Sequence, residues 1–162
     1  MYILVGVTDN TSRKAVLNVV EKDTIKLLRE CDAGIKMGVQ SIDDVLSLVR
    51  DVGLRSLLKD CRNEHLELQS QTEKLLEKYG DEGKNPNPVA TSMSWIKTNV
   101  KLGLNSSDKT IASLMTDGCN MGVKSLNKYL NQYEAASERT KDITKRLINL
   151  EEKLSVDIRD YL

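Results

Sequence analysis

From about Thr11 onward the apolar residues of the chain recur every three or four positions. Ile25, Leu28, Cys31, Ile35, Val39, Ile42, Leu46 and Val49 fall on one line, the mark of a helix with one face turned to a core. Gly53 supplies a stop. Leu54, Leu57, Leu58, Cys61, His65, Leu68, Thr72, Leu75 and Leu76 then make a second line ending at Gly80. The stretch Gly80 to Pro88, "GDEGKNPNP", gathers glycines, asparagines and both prolines of the chain, the strongest breaker signal present. After it, "ATSMSWIKTNVKL" reads as a short amphipathic crossover helix. Asn105 or Ser106 is the expected N-cap of the next helix, with Asp108 in its first turn. Its line is Ala112, Met115, Cys119, Val123, Leu126, Leu130 and Tyr133, and Ile143, Leu147, Leu150, Leu154 and Ile158 make the last.

These lines predict two αα-hairpins joined by a long connection, hence an all-α, up-down-down-up four-helix bundle. The expected organisation is an appended N-terminal segment over 1–10, either a short strand or without regular structure, and a bundle over 11–162. Within the bundle one hairpin covers 11–80, the crossover 81–104 and the second hairpin 105–162.

Inside the first helix the octet "GIKMGVQS", Gly34 to Ser41, places two glycines at i and i+4, and it returns in the third helix as "GCNMGVKS", Gly118 to Ser125. A glycine in a helix interior costs roughly 1 kcal/mol against alanine, so something offsets that loss. The recurrence predicts an internal repeat. Gly34, Gly38 and Ser41 form a small-residue strip on the first helix, and Gly118, Gly122 and Ser125 its counterpart on the third. Three explanations stand side by side: close packing of the two helices, a groove for a partner subunit's helix, and a ligand pocket.

Composition narrows the function classes. Among 162 residues, 24 basic side chains balance 24 acidic ones, so no global field favours nucleic acid or an anionic membrane. One tryptophan, five tyrosines and no phenylalanine are too few for a base-stacking surface. The opening "MYILVGV" has neither the basic start nor the cleavage site of a signal peptide, and no run reaches the length of a membrane span. Cys31, Cys61 and Cys119 are odd in number and each lies in an apolar pattern, which predicts buried reduced thiols and a cytoplasmic home. There is no phosphate-binding glycine loop, no nucleophile with a second histidine and no zinc-ligand cluster. The tracts "EKDTIK", "EAASERTKDITKR" and "NLEEKLSVDIRD" read as charged helix surfaces.

The segment "WIKTNVKLGLNSSDKTIASLMTDGCNMGVKSLNKYLNQY", Trp95 to Tyr133, resembles the crossover and following helix of small bacterial ferritin-like domains of unknown function. The crossover tryptophan, the "SSDK" helix start and the "NKYLNQY" helix end come in that family's order, and the resemblance spans about Glu21 to Tyr133. It implies a ferritin-like fold and, in the enzymes of that class, a di-iron or di-manganese centre built from a glutamate on each of two helices and Glu-x-x-His on each of the other two.

Residue by residue, this chain departs from that pattern. The single histidine, His65, is preceded at the motif position by Arg62, and Glu151 is followed by Leu154 and Ser155 rather than a histidine. The third helix has no glutamate between Ser107 and Gln132, and Asp117 falls opposite its apolar line. The expected function is therefore a non-enzymatic helical scaffold or interaction protein, stress-associated and self-associating into a homo-oligomer, without a cofactor. The alternative is an atypical metal-binding or redox protein holding iron or manganese in a reduced site made from Glu64, His65, Glu151 and Glu30. If no metal binds there, His65 is expected to be a core-edge histidine hydrogen-bonded to a carboxylate such as Glu151.

Overall fold

The computed structural model describes residues 7–86 and 107–162; the expected crossover helix and its tryptophan lie outside the described residues. Four helices follow in order: α1 (Val7–Leu46), α2 (Val52–Lys78), α3 (Asp108–Gln132) and α4 (Glu138–Asp157), with a 3-10 turn at Arg159–Tyr161. No strand occurs among the described residues. The four apolar lines meet in one core, in which Leu28, Ile35 and Ile42 of α1 pack with Leu54, Leu58 and Leu76 of α2, Ile111 of α3 and Ile143 and Leu147 of α4.

Hydrogen bonds at the two ends fix the direction of each helix. The Asp108 carboxylate, at the start of α3, accepts the backbone N–H groups of Arg50 and Asp51, both at 2.8 Å, at the start of α2. Those two helices therefore begin at the same end and run in parallel. At the opposite end, Thr24 of α1 accepts the backbone N–H of Ser137, the cap of α4, at 2.8 Å, and Asp23 accepts that of Ala135 at 3.2 Å. The helices run up, down, down and up.

Several boundaries differ from the sequence reading, each for a local reason. Helix α1 starts at Val7, inside the segment expected to be appended, and the rest of that segment lies outside the described residues. It ends at Leu46, so Val49 is buried from the linker and not from the helix. Gly53 does not stop a helix but sits in the first turn of α2. Asp51 is the N-cap, accepting Leu54 N–H at 2.9 Å, and a Cβ at Gly53 would lie 2.6 Å from the Tyr161 hydroxyl. The cap of α3 is Ser107, which accepts Thr110 N–H at 3.1 Å; the expected caps Asn105 and Ser106 lie outside the described residues. Gly80 fulfils its expected role. With φ of 64° it closes α2 through paired bonds from Asp81 N–H to Leu76 C=O and from Gly80 N–H to Glu77 C=O, a Schellman motif.

Beyond Gly80 the chain is tied back to α1. The buried carboxylate of Asp32 accepts the Lys84 backbone N–H at 2.9 Å and the Lys36 ammonium at 2.7 Å. Any side chain at Gly83, where φ is 81°, would run into that carboxylate. Arg29 holds Asp81 with an ion pair of 2.7 Å.

Helix α1 is longer than the bundle needs. It has 40 residues against 20 in α4, about 60 Å against about 30 Å. Because Asp23 and Thr24 are level with the start of α4, the turns before them project past it. Residues 10–19 are all exposed, including Val16 and Leu17 at 61% and 68%.

Asp108 carries a testable consequence. Its replacement by Ala strips the acceptor from two linker N–H groups, and a loss of about 1–2 kcal/mol is expected in urea unfolding. An unchanged midpoint would show that solvent satisfies those groups equally well.

Candidate functional site

The polar centre of the bundle is built around His65. The α2 line places it between Cys61 and Leu68, so its ring enters the core and is 1% exposed. Its Nε2 lies 2.9 Å from Oε1 of Glu151 on α4, and Nδ1 lies 2.8 Å from the carbonyl oxygen of Cys61, one turn back. A carbonyl only accepts, so Nδ1 carries a proton; an ionised carboxylate only accepts, so Nε2 carries one too. Burial by itself pulls the imidazole pKa down. The hydrogen bonds to Cys61 and Glu151, with the charge of Glu151, outweigh it and lift the value to about 10. His65 and Glu151 are thus an imidazolium–carboxylate pair joining one hairpin to the other.

Two cysteines border this pair. The Cys61 sulfur is 3.5 Å from His65 Nδ1, and burial raises its pKa despite that neighbour. Burial, then the charge of Glu151 and a hydrogen bond to it, push the Cys119 thiol far above the ordinary range. Cys31 lies elsewhere in the core, 3.1 Å from the Thr144 hydroxyl, and burial lifts it to about 12. All three are free and buried; held as thiols, they are neither nucleophiles nor metal-ready thiolates at neutral pH.

The glycines divide by what faces them. At Gly38 a Cβ would lie 2.6 Å from His65 Nε2 and 2.8 Å from its Cδ2, so this glycine is the seat of the imidazole. The close approach expected between the first and third helices is at this position an approach of α1 to α2. At Gly122 the nearest atom is the Glu151 carboxyl carbon at 3.5 Å, and at Gly34 it is a Leu147 methyl at 3.8 Å, both ordinary contacts. Among the described residues nothing lies within 4 Å of a Cβ at Gly118, so no close approach there explains it as a spacing device. Ser41 is buried and Ser125 exposed.

Gly34, Gly122 and Ser125 line a cleft of about 240 Å³ between α1 and α3, with Met37, Met121, Leu126 and Leu147 as apolar walls. Glu30 and Lys84, paired at 2.7 Å, and Tyr129 also line it, as does Glu151. Burial, followed by the charge of Glu30, raises the Tyr129 pKa, so the phenol stays protonated.

Of the four residues proposed for a reduced metal site, the structure joins two. Glu64 is exposed, and Glu30 is engaged by Lys84 on the cleft. Among the described residues no group of three His, Cys, Asp or Glu side chains is arranged to hold a metal ion. The donors present do not fit a di-iron centre: there is one imidazole, both its nitrogens have partners, and the carboxylates that such a centre needs are dispersed. The sequence reading offered a ligand pocket as one of three explanations of the strips, and Gly34, Gly122 and Ser125 line this cleft; it missed Lys84 and Tyr129, because the first lies in the breaker segment and the second on the helix flank, where neither carries a recognisable signal.

No family model, no curated protein and no solved structure matches this chain. Among the described residues no helix is long and apolar enough to cross a membrane.

Two outcomes are expected. Gly38→Ala should cost about 1–3 kcal/mol by forcing the imidazole aside, whereas Gly118→Ala should gain up to about 1 kcal/mol of helix propensity; equal effects in thermal unfolding would refute the division. The second concerns pH. The folded pKa of His65 is raised to about 10 above an unfolded value of about 6.5. Its stabilisation is therefore complete below pH ~6.5 and is lost as pH rises through the folded value. The stability difference between the natural protein and His65→Gln should shrink steadily from pH 6.5 to 10, and a constant difference would show that no proton is held.

Proposed function

We propose that this protein is a non-enzymatic helical scaffold or interaction protein of ferritin-like architecture, which self-associates through the projecting end of α1. The observation that carries the reading is the apolar line of α1 running on beyond the bundle. Val16 and Val20 continue, at i+4 spacing, the line that Thr24, Leu27 and Leu28 bury, and Leu17 flanks them. A helix end whose apolar line has no packing partner among the described residues is marginal in water, and exposed core-type residues mark an interaction surface.

A second copy suits this surface on charge. Lys14 and Glu21 are seven residues apart, on one flank of the line, so antiparallel pairing of two arms sets each lysine against the partner's glutamate. The up-down-down-up order with its long second connection supports the ferritin-like assignment. The recurring octets, whose second glycines lie against His65 in one hairpin and Glu151 in the other, support a duplication. The three free, buried thiols suit a reducing compartment, the cytoplasm. Against an iron or manganese site stands the mutual engagement of His65 and Glu151.

Light scattering on the full chain tests the reading. A dimer or larger species is expected for the natural protein, and Val16→Glu combined with Leu17→Glu should convert it to monomer while leaving the far-ultraviolet helical signal of the bundle in place. A monomeric natural protein, or a doubly substituted protein of unchanged mass, would refute association through α1.

A further inference from the structure

The scaffold reading leaves the cleft between α1 and α3 unused, yet its construction is that of a binding site. Its volume of about 240 Å³ falls just short of the ~300 Å³ at which pockets for drug-sized ligands begin, the right scale for a one- or two-ring molecule. Small residues keep it open: a side chain on Gly34 would grow into it, and Cβ alone would be accommodated at both Gly34 and Gly122. Neither glycine is therefore demanded by packing among the described residues, although each lowers the stability of its helix.

We propose that this cleft binds an uncharged, mainly apolar small molecule of the size of a phenol or an indole, with its single O–H or N–H donor on the Glu151 carboxylate and its ring against Met37 and Met121. The inference goes beyond the scaffold function and does not rest on it.

Three features of the lining select that chemistry. First, its charges are already matched, Glu30 by Lys84 at 2.7 Å and Glu151 by His65 at 2.9 Å. A charged ligand would thus be desolvated with no free counter-charge to meet it. Second, Glu151 gives Oε1 to His65 and takes one further hydrogen bond, from the Cys119 thiol, and its Oε2 lies 3.7 Å from where a Gly122 Cβ would be. An ionised carboxylate has about four lone-pair directions, so acceptor capacity remains on the cleft side, and a neutral donor placed there makes a charge-assisted hydrogen bond. Third, the walls are methionine and leucine. Thioethers adapt to ring edges and favour sulfur–aromatic contact, and the protonated Tyr129 phenol lines the cleft as a further ring.

The test is a titration of the full chain with four probes of similar size: indole, p-cresol, toluene and benzoate. Binding is followed by ligand-observed NMR and by the rise in melting temperature that a ligand specific to the folded state produces. Indole and p-cresol should bind saturably. Toluene, lacking the donor, should bind at least about ten-fold more weakly, as expected for losing a hydrogen bond to a charged group, and benzoate should not bind.

Two variants locate the site. Ser125→Trp fills the cleft from an exposed position, and Gly34→Leu fills it from a backbone with 3.8 Å of clearance to Leu147. Loss of indole binding by more than about ten-fold in either variant, with its helical signal retained, is the expected result. Absence of saturation with both indole and p-cresol, equal affinity for toluene and indole, or undiminished indole binding in both filled variants would each overturn the proposal.

Discussion

Burying the His65–Glu151 pair is the constraint around which the bundle is arranged. Removing an imidazolium and a carboxylate from water costs several kcal/mol per ion, and the structure offsets that by giving both imidazole protons an acceptor. Nδ1 of His65 is bound by the Cys61 carbonyl and Nε2 by Glu151. Gly38 withdraws its side chain so that the ring lies flush against α1. The pair is also a polar link between the hairpins, since His65 belongs to one and Glu151 to the other. Leucine seams tolerate sliding by a turn with modest loss, because each leucine finds another. A charge displaced by one turn finds no partner, so the ion pair penalises wrong registers far more steeply than the apolar core does.

The bundle ends reinforce the same alignment by different means. Asp108 clamps the linker between α1 and α2 to the start of α3, and Thr24 and Asp23 clamp the start of α4 to α1. Each clamp uses backbone N–H groups that a helix start or a linker would otherwise leave to water. Because the clamps sit at opposite ends and the ion pair sits between them, the second hairpin is fixed in both axial position and direction. The side chain–backbone bonds supply direction, and the buried charges supply register.

Much of this was legible in the sequence, and the limits follow from physical causes. The four apolar lines, the breaker at Gly80 and the burial of the cysteines all follow from periodicity and local backbone chemistry, and the structure repeats them. Helix starts were displaced because Asp51 and Ser107 compete with neighbouring cap residues of nearly equal propensity, and only the tertiary setting decides between them. Gly53 looked like a stop and is in fact the seat of the Tyr161 hydroxyl, a contact from the far end of the chain that no local pattern encodes. The pairing of His65 with a carboxylate was readable because a histidine in an apolar line must find an acceptor, and Glu151 lies at the edge of its own line. The four glycines of the octets were read alike, yet only Gly38 is required by a neighbour. The same short pattern thus takes its meaning from the side chain opposite, and that depends on how the helices cross.

The cleft was legible only as one of three alternatives for the strips, for a related reason: it exists in the separation of α1 from α3, not in either helix. Its chemistry nevertheless descends from the ion pair. His65 holds Oε1 of the Glu151 carboxylate, which is only 12% exposed, and the Cys119 thiol also hydrogen-bonds to that carboxylate. The acceptor capacity that remains faces the cleft with its charge already balanced by His65. That combination, an ionised acceptor with no net field, discriminates between a neutral donor and a cation. The device that aligns the hairpins therefore also sets what the space between α1 and α3 is able to recognise.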